Sequence, residues 1–201
     1  MATKVLIATL YNTEPVIAAI TKIGCDRALL LVDSQPSKTQ EESLDAIKKT
    51  LGKVIEIKAI KTDVYDVVAV ARKCVEIIDM QPNDDAIYIN ITGGRKTKAI
   101  GLLFGAYARH DRVKKIAYIT EETREIVYLP RLSFKLSNSQ KRVLEYMDSG
   151  SYNSISELVK GLGNEFSTAM VYRAIDELKD MDFITTENGI MLTDAGKIAR
   201  L

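Results

Sequence analysis

Short, continuous apolar segments recur along the first 130 residues of the chain. The segments with the length and β-branched content of strands are 4–10, 27–32, 54–60, 85–91, 115–119 and 125–129. The first five are continuously apolar, which is typical of strands that are buried on both faces of a parallel sheet. The sixth follows a polar turn at 121–124, so it is predicted to pair antiparallel with the fifth as a hairpin.

Helical periodicity fills the intervals between these strands. Apolar residues at three- and four-residue spacing predict helices over 14–23, 39–51, 64–80 and 96–109. Alternating strands and helices predict an α/β, Rossmann-like domain with a mainly parallel sheet and right-handed crossovers. In such open sheets, ligands bind beyond the carboxyl ends of strands, near the point where the strand order reverses. Candidate site residues are therefore sought at the strand ends.

The last 70 residues follow a different pattern. Helices capped by Ser137 and Ser154 are predicted over 137–150 and 154–163, and a third helix is predicted over 167–181. A hairpin is expected next, with strands at 183–186 and 190–193 joined by the turn Glu187-Asn188-Gly189, before Thr193 opens a last short helix. Three helices followed by a hairpin are typical of a winged helix-turn-helix. We therefore expect a Rossmann-like domain at 1–130, a linker at 131–136 and a winged helix-turn-helix domain at 137–201.

The end of the first predicted strand carries one group of candidate binding residues. Thr9, Leu10, Tyr11 and Asn12 follow the apolar run, and Thr13 is expected to cap the next helix. A plain helix start is the alternative for this segment. Asp33-Ser34 and Thr62-Asp63, at the ends of the second and third strands, are candidates of second rank.

The end of the fourth predicted strand carries more candidate binding residues than the end of the first. The candidate residues here are Thr92, Gly93, Gly94, Arg95 and Lys96, with Lys98 adding a further cation. Two glycines permit a tight turn and close backbone approach, and a helix N-terminus offers free N–H groups to an anion. Cations at a helix N-terminus oppose the helix dipole, so the pattern indicates a phosphate site. It matches neither a Walker A loop nor the GxGxxG fingerprint, and a solvated basic turn remains the alternative.

Composition narrows the class of protein. The 28 Lys and Arg residues nearly balance 27 Asp and Glu, and no apolar run approaches the roughly 20 residues of a membrane helix, so a cytoplasmic protein without membrane contact is expected. Cys25 and Cys74 lie far apart and are predicted to be buried and inert. With His110 as the single histidine, neither a catalytic triad nor a metal site is indicated, and no catalytic or metal-binding residue is assigned.

The third helix of the C-terminal domain supplies candidate DNA contacts. They are Ser167, Thr168, Tyr172, Arg173 and Lys179, with Met170 on the same helix. Arginine can contact guanine in bidentate fashion, and hydroxyl groups can contact phosphates. From Arg131 onward the chain has 9 Lys and Arg against 10 Asp and Glu, which is not a basic footprint. Two alternatives therefore stay open: a winged helix that contacts protein, and one that binds DNA only as a ligand-set dimer.

Taken together, these features resemble a known family. A Rossmann-like domain with Thr92-Gly93-Gly94-Arg95-Lys96 after its fourth strand, joined to a C-terminal winged helix, is similar to the archaeal CRISPR-associated CARF-domain transcription regulators of the Csa type. The resemblance covers essentially the whole chain. It implies a homodimer that senses cyclic oligoadenylate in antiviral defence, with cyclic tetra-adenylate as the expected ligand and no cofactor, and that binds double-stranded promoter DNA. Two copies of the glycine turn would then surround one ring of phosphates.

Two alternatives to this non-enzymatic regulator remain. Some CARF domains are ring nucleases that cut their ligand without metal, and Arg95 and Lys96 could stabilise charge in such a reaction. The sequence shows no obvious general base for it. A regulator that senses another phosphorylated small molecule is the second alternative, because a phosphate grip does not by itself identify a ligand.

Overall fold

The structure, a computed structural model, describes residues 2–133, 135–163, 165–186 and 189–201. The chain divides into two compact units, Met1–Ser133 and Phe134–Leu201, which are called unit 1 and unit 2 below. The division falls within the predicted linker at 131–136. Within the described ranges, no helix has both the length and the apolar character needed to cross a membrane.

Unit 1 is a six-stranded α/β sheet. Its strands are β1 (Lys4–Thr9), β2 (Arg27–Asp33), β3 (Glu56–Thr62), β4 (Ala86–Asn90), β5 (Val113–Ile119) and β6 (Ile126–Leu129). They lie in the order β3-β2-β1-β4-β5-β6, and every pair is parallel except β5 and β6. The predicted Rossmann-like sheet and its antiparallel last hairpin are therefore confirmed.

Two pairs of helices cover the two faces of this sheet. They are α1 (Thr13–Ile23), α2 (Lys38–Leu51), α3 (Val67–Asp79) and α4 (Lys96–Ala108). Residues of α1 and α2 share one apolar core with β1, β2 and β5, whereas residues of α3 and α4 share the other with β1, β2, β4 and β5. The central strand β1 is buried from Val5 to Thr9, since both of its faces meet a helix layer.

Two predicted segments differ from the structure. The third strand is not a buried strand over 54–60: it begins at Glu56, lies at the sheet edge and is mostly exposed. Val54 precedes it in a turn, where its amide donates to the Leu51 carbonyl, and is 78% exposed. The third helix begins at Val67 rather than at residue 64, because the Asp66 carboxylate accepts from the amide of Ala69 and caps it there.

Close backbone contact joins α3 to α4. A Cβ on Gly101 would lie 2.6 Å from the Cβ of Val70, and one on Gly105 would lie 2.6 Å from the Ala71 carbonyl oxygen. Since real Cβ atoms do not approach other atoms this closely, glycine is required at both positions. The middle of α4 is thereby held close against α3.

In its described residues, unit 2 contains four helices and two short strands. They are α5 (Asn138–Tyr146), α6 (Ile155–Leu162), α7 (Thr168–Asp180), β7 (Ile184–Thr185), β8 (Met191–Leu192) and α8 (Asp194–Ala199), with a 3-10 turn at Met147–Ser149. Strands β7 and β8 pair antiparallel, and Ile190 forms a bridge with Tyr152. Within the predicted turn, Glu187 and Asn188 lie outside the described residues, as does Phe134 of the linker. The elements follow the predicted order, and the winged-helix assignment stays a prediction.

Candidate functional site

The carboxyl ends of β1 and β4 meet at the point where the strand order reverses. The chain runs from β1 outward to β2 and β3 on one side, and from β4 outward to β5 and β6 on the other. Ala8 of β1 pairs with Asn90 of β4, so the segments that follow these strands leave the sheet side by side. This is the position at which open α/β sheets bind their ligands.

The segment after β4 forms a tight turn against the end of β1. Gly94 has a φ of 81°, a conformation that favours glycine. A Cβ on Gly93 would lie 2.9 Å from the Thr9 carbonyl oxygen and 3.8 Å from the Tyr11 amide nitrogen. The Thr9 hydroxyl donates a hydrogen bond to the Gly93 carbonyl. The structure thus brings Thr9, Gly93 and Gly94 together, with Gly93 buried against the end of β1 and Gly94 partly exposed.

The two helices that start at this point lack a side-chain cap. Of the eight α-helices in the described residues, six begin with a Ser, Thr or Asp side chain that accepts from a backbone amide. The exceptions are α1, which begins after Asn12, and α4, which begins after Arg95. The first N–H groups of a helix need an acceptor. Both helix starts at the switch point are therefore open to an external one. The expected Thr13 cap is wrong: Thr13 is the first residue of α1.

Cations surround the start of α4. Arg95 and Lys96 are exposed, and the first turn of α4 contains no acidic residue. The Arg95 Nε lies 3.7 Å from Asp33 Oδ2, and its guanidinium lies over the Tyr65 ring, 5.3 Å from the centroid. Positive charge at this helix end opposes the helix dipole and favours a bound anion.

Lys98 does not add to this surface charge. Its side chain is fully buried, and its ammonium lies 2.6 Å from Asp33 Oδ1 and 3.4 Å from the Leu10 carbonyl oxygen. Gln40 completes the cluster, since its side-chain amide donates to the Leu10 carbonyl at 2.6 Å and to Asp33 at 3.2 Å. This cluster ties the ends of β1 and β2 to α2 and α4. The interpretation of Lys98 as a cation for the ligand is thus corrected to that of an internal support.

Opposing effects set the ionisation of this buried pair. Burial alone would raise the pKa of Asp33, but hydrogen bonds from Lys98 and Gln40 and the charges of Lys98 and Arg95 outweigh it and lower that pKa. Burial lowers the pKa of the Lys98 ammonium, and the bond to Asp33 offsets only part of this effect. Asp33 is therefore held as a carboxylate under the turn.

Asn90 and Thr92 fasten the turn to β5. Asn90 accepts from the Thr92 amide at 3.2 Å and from the Thr92 hydroxyl at 2.5 Å, while the Ile119 amide donates to that hydroxyl at 2.7 Å. The Thr92 hydroxyl, predicted to bind ligand, thus already has two partners within the fold. The side-chain nitrogen of Asn90 is buried and has no hydrogen-bond partner among the described residues.

The candidates after β1 divide into buried and exposed residues. Thr9 and Leu10 are fully buried, and Leu10 packs in the core beneath α1. Their contributions at this edge are the Thr9 hydroxyl bond and the Leu10 carbonyl described above. Tyr11 and Asn12 are exposed. Of the four, these two present side chains to solvent.

The second-rank candidates at β2 and β3 have local roles. Asp33 belongs to the buried cluster, and the Ser34 amide donates to the Thr62 carbonyl at 2.9 Å. The Thr62 hydroxyl donates to the Asp63 carbonyl, and the Asp63 carboxylate accepts from the Tyr65 amide at 2.9 Å. These contacts order the loop between β3 and α3.

The predicted DNA contacts lie on α7 and at its start. Thr168, Tyr172 and Arg173 are exposed, whereas the opposite face of the helix packs in the core of unit 2. Ser167 is the N-cap and accepts from the Met170 amide at 3.3 Å. Arg173 pairs with Glu177 at 2.8 Å. Lys179 is half-buried in the last turn.

Sequence reasoning missed Gln40 and Tyr65 and misjudged Lys98. A signal existed for Lys98, because it precedes Leu102 by four residues and therefore lies on the same buried face of α4. No comparable signal marks Tyr65, whose position depends on how the loop after β3 meets α4.

Several solved structures have a similar fold. Can2 from Sulfobacillus thermosulfidooxidans in complex with cyclic tetra-adenylate has a TM-score of 0.52 and 17% identity, and the match covers 98% of this chain and 63% of that one. Csm6 from Enterococcus italicus bound to cyclic hexa-2'-fluoro-hexa-dAMP has a TM-score of 0.52 and 15% identity, with 90% and 56% covered. VC1899 from Vibrio cholerae has a TM-score of 0.53 and 9% identity, with 98% and 64% covered.

These likenesses show the fold, a mainly parallel Rossmann-like sheet. This chain spans about three fifths of the length of those structures. No curated protein matches it. A family model does match, over residues 4–124, which take in the sheet from the start of β1 through β5 and both uncapped helix starts. The chain therefore belongs to the family described as HFX_2341_N:-like, N-terminal.

Proposed function

We propose that this protein is a CRISPR-associated transcription regulator whose unit 1 senses cyclic oligoadenylate and whose unit 2 binds promoter DNA. The observation that carries the proposal is the pair of uncapped helix starts at the switch point, beside Gly93 and Gly94. Can2 and Csm6, which share the fold, are seen with cyclic oligonucleotides bound.

The turn after β4 is suited to a phosphodiester. Backbone N–H groups at the start of α4 can donate to phosphate oxygens, and the exposed Arg95 and Lys96 supply charge. Lys98 is buried with Asp33 and lies beneath the turn, so the charge available to the ligand comes from Arg95 and Lys96. We expect Lys96→Ala to weaken binding of cyclic tetra-adenylate about 10- to 150-fold, the loss of about 1.5–3 kcal/mol that a charged hydrogen bond contributes.

The ligand ring favours a homodimer as the binding species. A cyclic tetra-adenylate has rotational symmetry, and a two-fold dimer would present two copies of the turn to it. The proposal therefore includes one ring for each dimer.

We also propose that the ligand is bound without being cut. The single histidine of the chain, His110, follows the C-terminal end of α4. That helix has 13 residues, which at 1.5 Å per residue separates its ends by about 20 Å. Asp33, the carboxylate nearest to Arg95, is engaged by Lys98. We therefore expect cyclic tetra-adenylate to be recovered intact after long incubation with excess protein.

For unit 2 we propose a winged helix-turn-helix in which α7 enters the major groove. Three helices followed by a two-stranded antiparallel sheet support this assignment, and Thr168, Tyr172 and Arg173 lie on the exposed face of α7. The near-neutral charge of this unit favours DNA binding that depends on two copies acting together.

A promoter-binding titration tests the whole proposal. The full-length protein is titrated onto double-stranded DNA from its own CRISPR locus, with and without cyclic tetra-adenylate, at two salt concentrations. We expect the ligand to change DNA affinity by the same factor by which DNA changes ligand affinity. Tight ligand binding with no DNA binding in either state would overturn the proposed role as a transcription regulator. Absence of ligand binding would overturn the proposed role as a cyclic oligoadenylate sensor.

A further inference from the structure

Tyr65 is an exposed aromatic residue on an ordered loop. It lies between β3 and α3, and 69% of it is exposed. Its amide donates to the Asp63 carboxylate at 2.9 Å, and Asp66 caps α3 through the Ala69 amide, also at 2.9 Å. Both ends of this loop are therefore fixed, and the ring is exposed from a fixed support.

The same loop is fastened to the start of α4. The Thr97 hydroxyl, in the first turn of α4, donates to the Val64 carbonyl. The Arg95 guanidinium lies over the Tyr65 ring at 5.3 Å from the centroid, while the Arg95 Nε lies 3.7 Å from Asp33. Tyr65 thus borders the turn that is suited to phosphate.

An exposed aromatic ring beside this turn is not needed to bind phosphate. Phosphate oxygens are bound by N–H groups and cations, whereas nucleobases stack on aromatic faces and on guanidinium planes. The guanidinium lies over one face of the ring, and the exposure of Tyr65 leaves the other face accessible.

We propose that Tyr65 is a stacking platform for a nucleobase of the ligand whose phosphate is bound at the start of α4. This inference rests on the proposed function, since it assigns the base-binding part of the same site. The platform selects a nucleotide ligand over a phosphorylated ligand that carries no base.

Calorimetry with cyclic tetra-adenylate tests this role. The wild type is compared with Tyr65→Phe, which keeps the ring, and with Tyr65→Leu, which keeps apolar bulk without it. Stacking on an aromatic side chain contributes about 1–3 kcal/mol per base, so Tyr65→Leu is expected to weaken binding by about 5- to 150-fold. Tyr65→Phe is expected to retain the affinity to within about twofold, because its ring can still stack.

A matched control lies elsewhere in unit 1. Tyr128 on the edge strand β6 is also exposed, and the Lys115 ammonium lies 5.4 Å from its ring centroid. Tyr128→Leu removes an exposed ring with a cation over it and is expected to leave ligand affinity unchanged. Circular dichroism melting of each variant checks that the fold is retained.

A double-mutant cycle separates stacking from support of Arg95. Tyr65→Leu is repeated in an Arg95→Ala background. If the ring stacks on a base, its removal still weakens ligand binding in that background. If the ring only holds Arg95 in place, its removal has no further effect on ligand binding. The inference is overturned if Tyr65→Leu binds as the wild type does, if Tyr65→Phe loses as much as Tyr65→Leu, or if the effect vanishes with Arg95→Ala. Failure of the wild type to bind overturns the proposed function and this inference with it.

Discussion

The starts of α4 and α7 solve the same local problem in opposite ways. The first N–H groups of each helix need acceptors from outside the helix backbone, and each helix has an arginine nearby. At α7, Ser167 accepts from the Met170 amide, and Arg173 is paired with Glu177 along the helix. At α4, the capping position is occupied by Arg95, whose side chain makes no cap, and Lys96 is exposed.

The difference separates a helix start completed by the chain from one left open. Serine at the start of α7 stabilises the helix whether or not DNA is present. Arginine at the start of α4 gives up that stabilisation and adds unfavourable charge, which a bound anion would reverse. A basic helix start therefore indicates a binding site more strongly when the cap is missing than when it is present.

The largest expected effect comes from the buried pair beneath α4. Asp33→Asn leaves the Lys98 ammonium buried without its counter-charge, and we expect the free energy of unfolding of unit 1 to fall by about 3–5 kcal/mol in urea. Arg95→Ala is the control, because it removes only the more exposed contact to Asp33 and should cost at most about 1 kcal/mol. Equal costs for the two variants would show that the start of α4 does not depend on Lys98.

Substituting each of two glycines with positive φ distinguishes the effect of backbone strain from that of crowding at the site. Gly94 and Gly24 have φ values of 81° and 69°. Only at Gly94 would a Cβ meet the neighbouring atoms Lys98 Cε, at 3.1 Å, and Thr9 Cβ, at 3.3 Å. Alanine at either position should lower stability by about 1–2 kcal/mol through strain. Only Gly94→Ala should lower affinity for cyclic tetra-adenylate, and an equal loss with Gly24→Ala would remove the turn from the site.

Exchanging the caps tests the comparison directly. Arg95→Ser gives α4 the kind of cap that α7 has, so thermal unfolding should show a gain of about 0.5–1 kcal/mol, while affinity for cyclic tetra-adenylate falls. Ser167→Ala should cost about 1 kcal/mol in unit 2 and leave that affinity unchanged. A stabilised Arg95→Ser protein with undiminished ligand affinity would contradict the open-start interpretation.

The smallest effect is a change in acid stability. Because the pKa of Asp33 lies below its ordinary value in the folded protein, its contribution to stability is present above about pH 4, near the unfolded value, and is lost as the pH falls through the folded pKa. Denaturant titrations between pH 5 and pH 2 should therefore show a steeper loss for the wild type than for Asp33→Asn. Parallel profiles would mean that Asp33 is not held ionised by Lys98.

Local patterns predicted the architecture of unit 1 because its central strands are buried on both faces. Boundaries were missed where the pattern was ambiguous: Val54 and Val64 are apolar, yet the first lies in an exposed turn and the second precedes the Asp66 cap. At the site, the glycine turn was visible in the sequence. The Asp33–Lys98 pair was not, because it joins residues 65 positions apart, and only the packing of α4 shows that Lys98 points inward.

The positions of the two cysteines allow the opening of the two helix layers of unit 1 to be measured by thiol labelling. Cys25 is buried on the α1 side of the sheet and Cys74 on the α3 side, as free thiols. Burial raises the pKa of both thiols, to about 11 for Cys25 and further for Cys74, so we expect both to react slowly while their helix layers are closed. Single-cysteine variants exposed to a thiol reagent would therefore time the opening of each helix layer separately. The chain has no cysteine in unit 2, so thiol labelling does not report on the opening of the C-terminal helices.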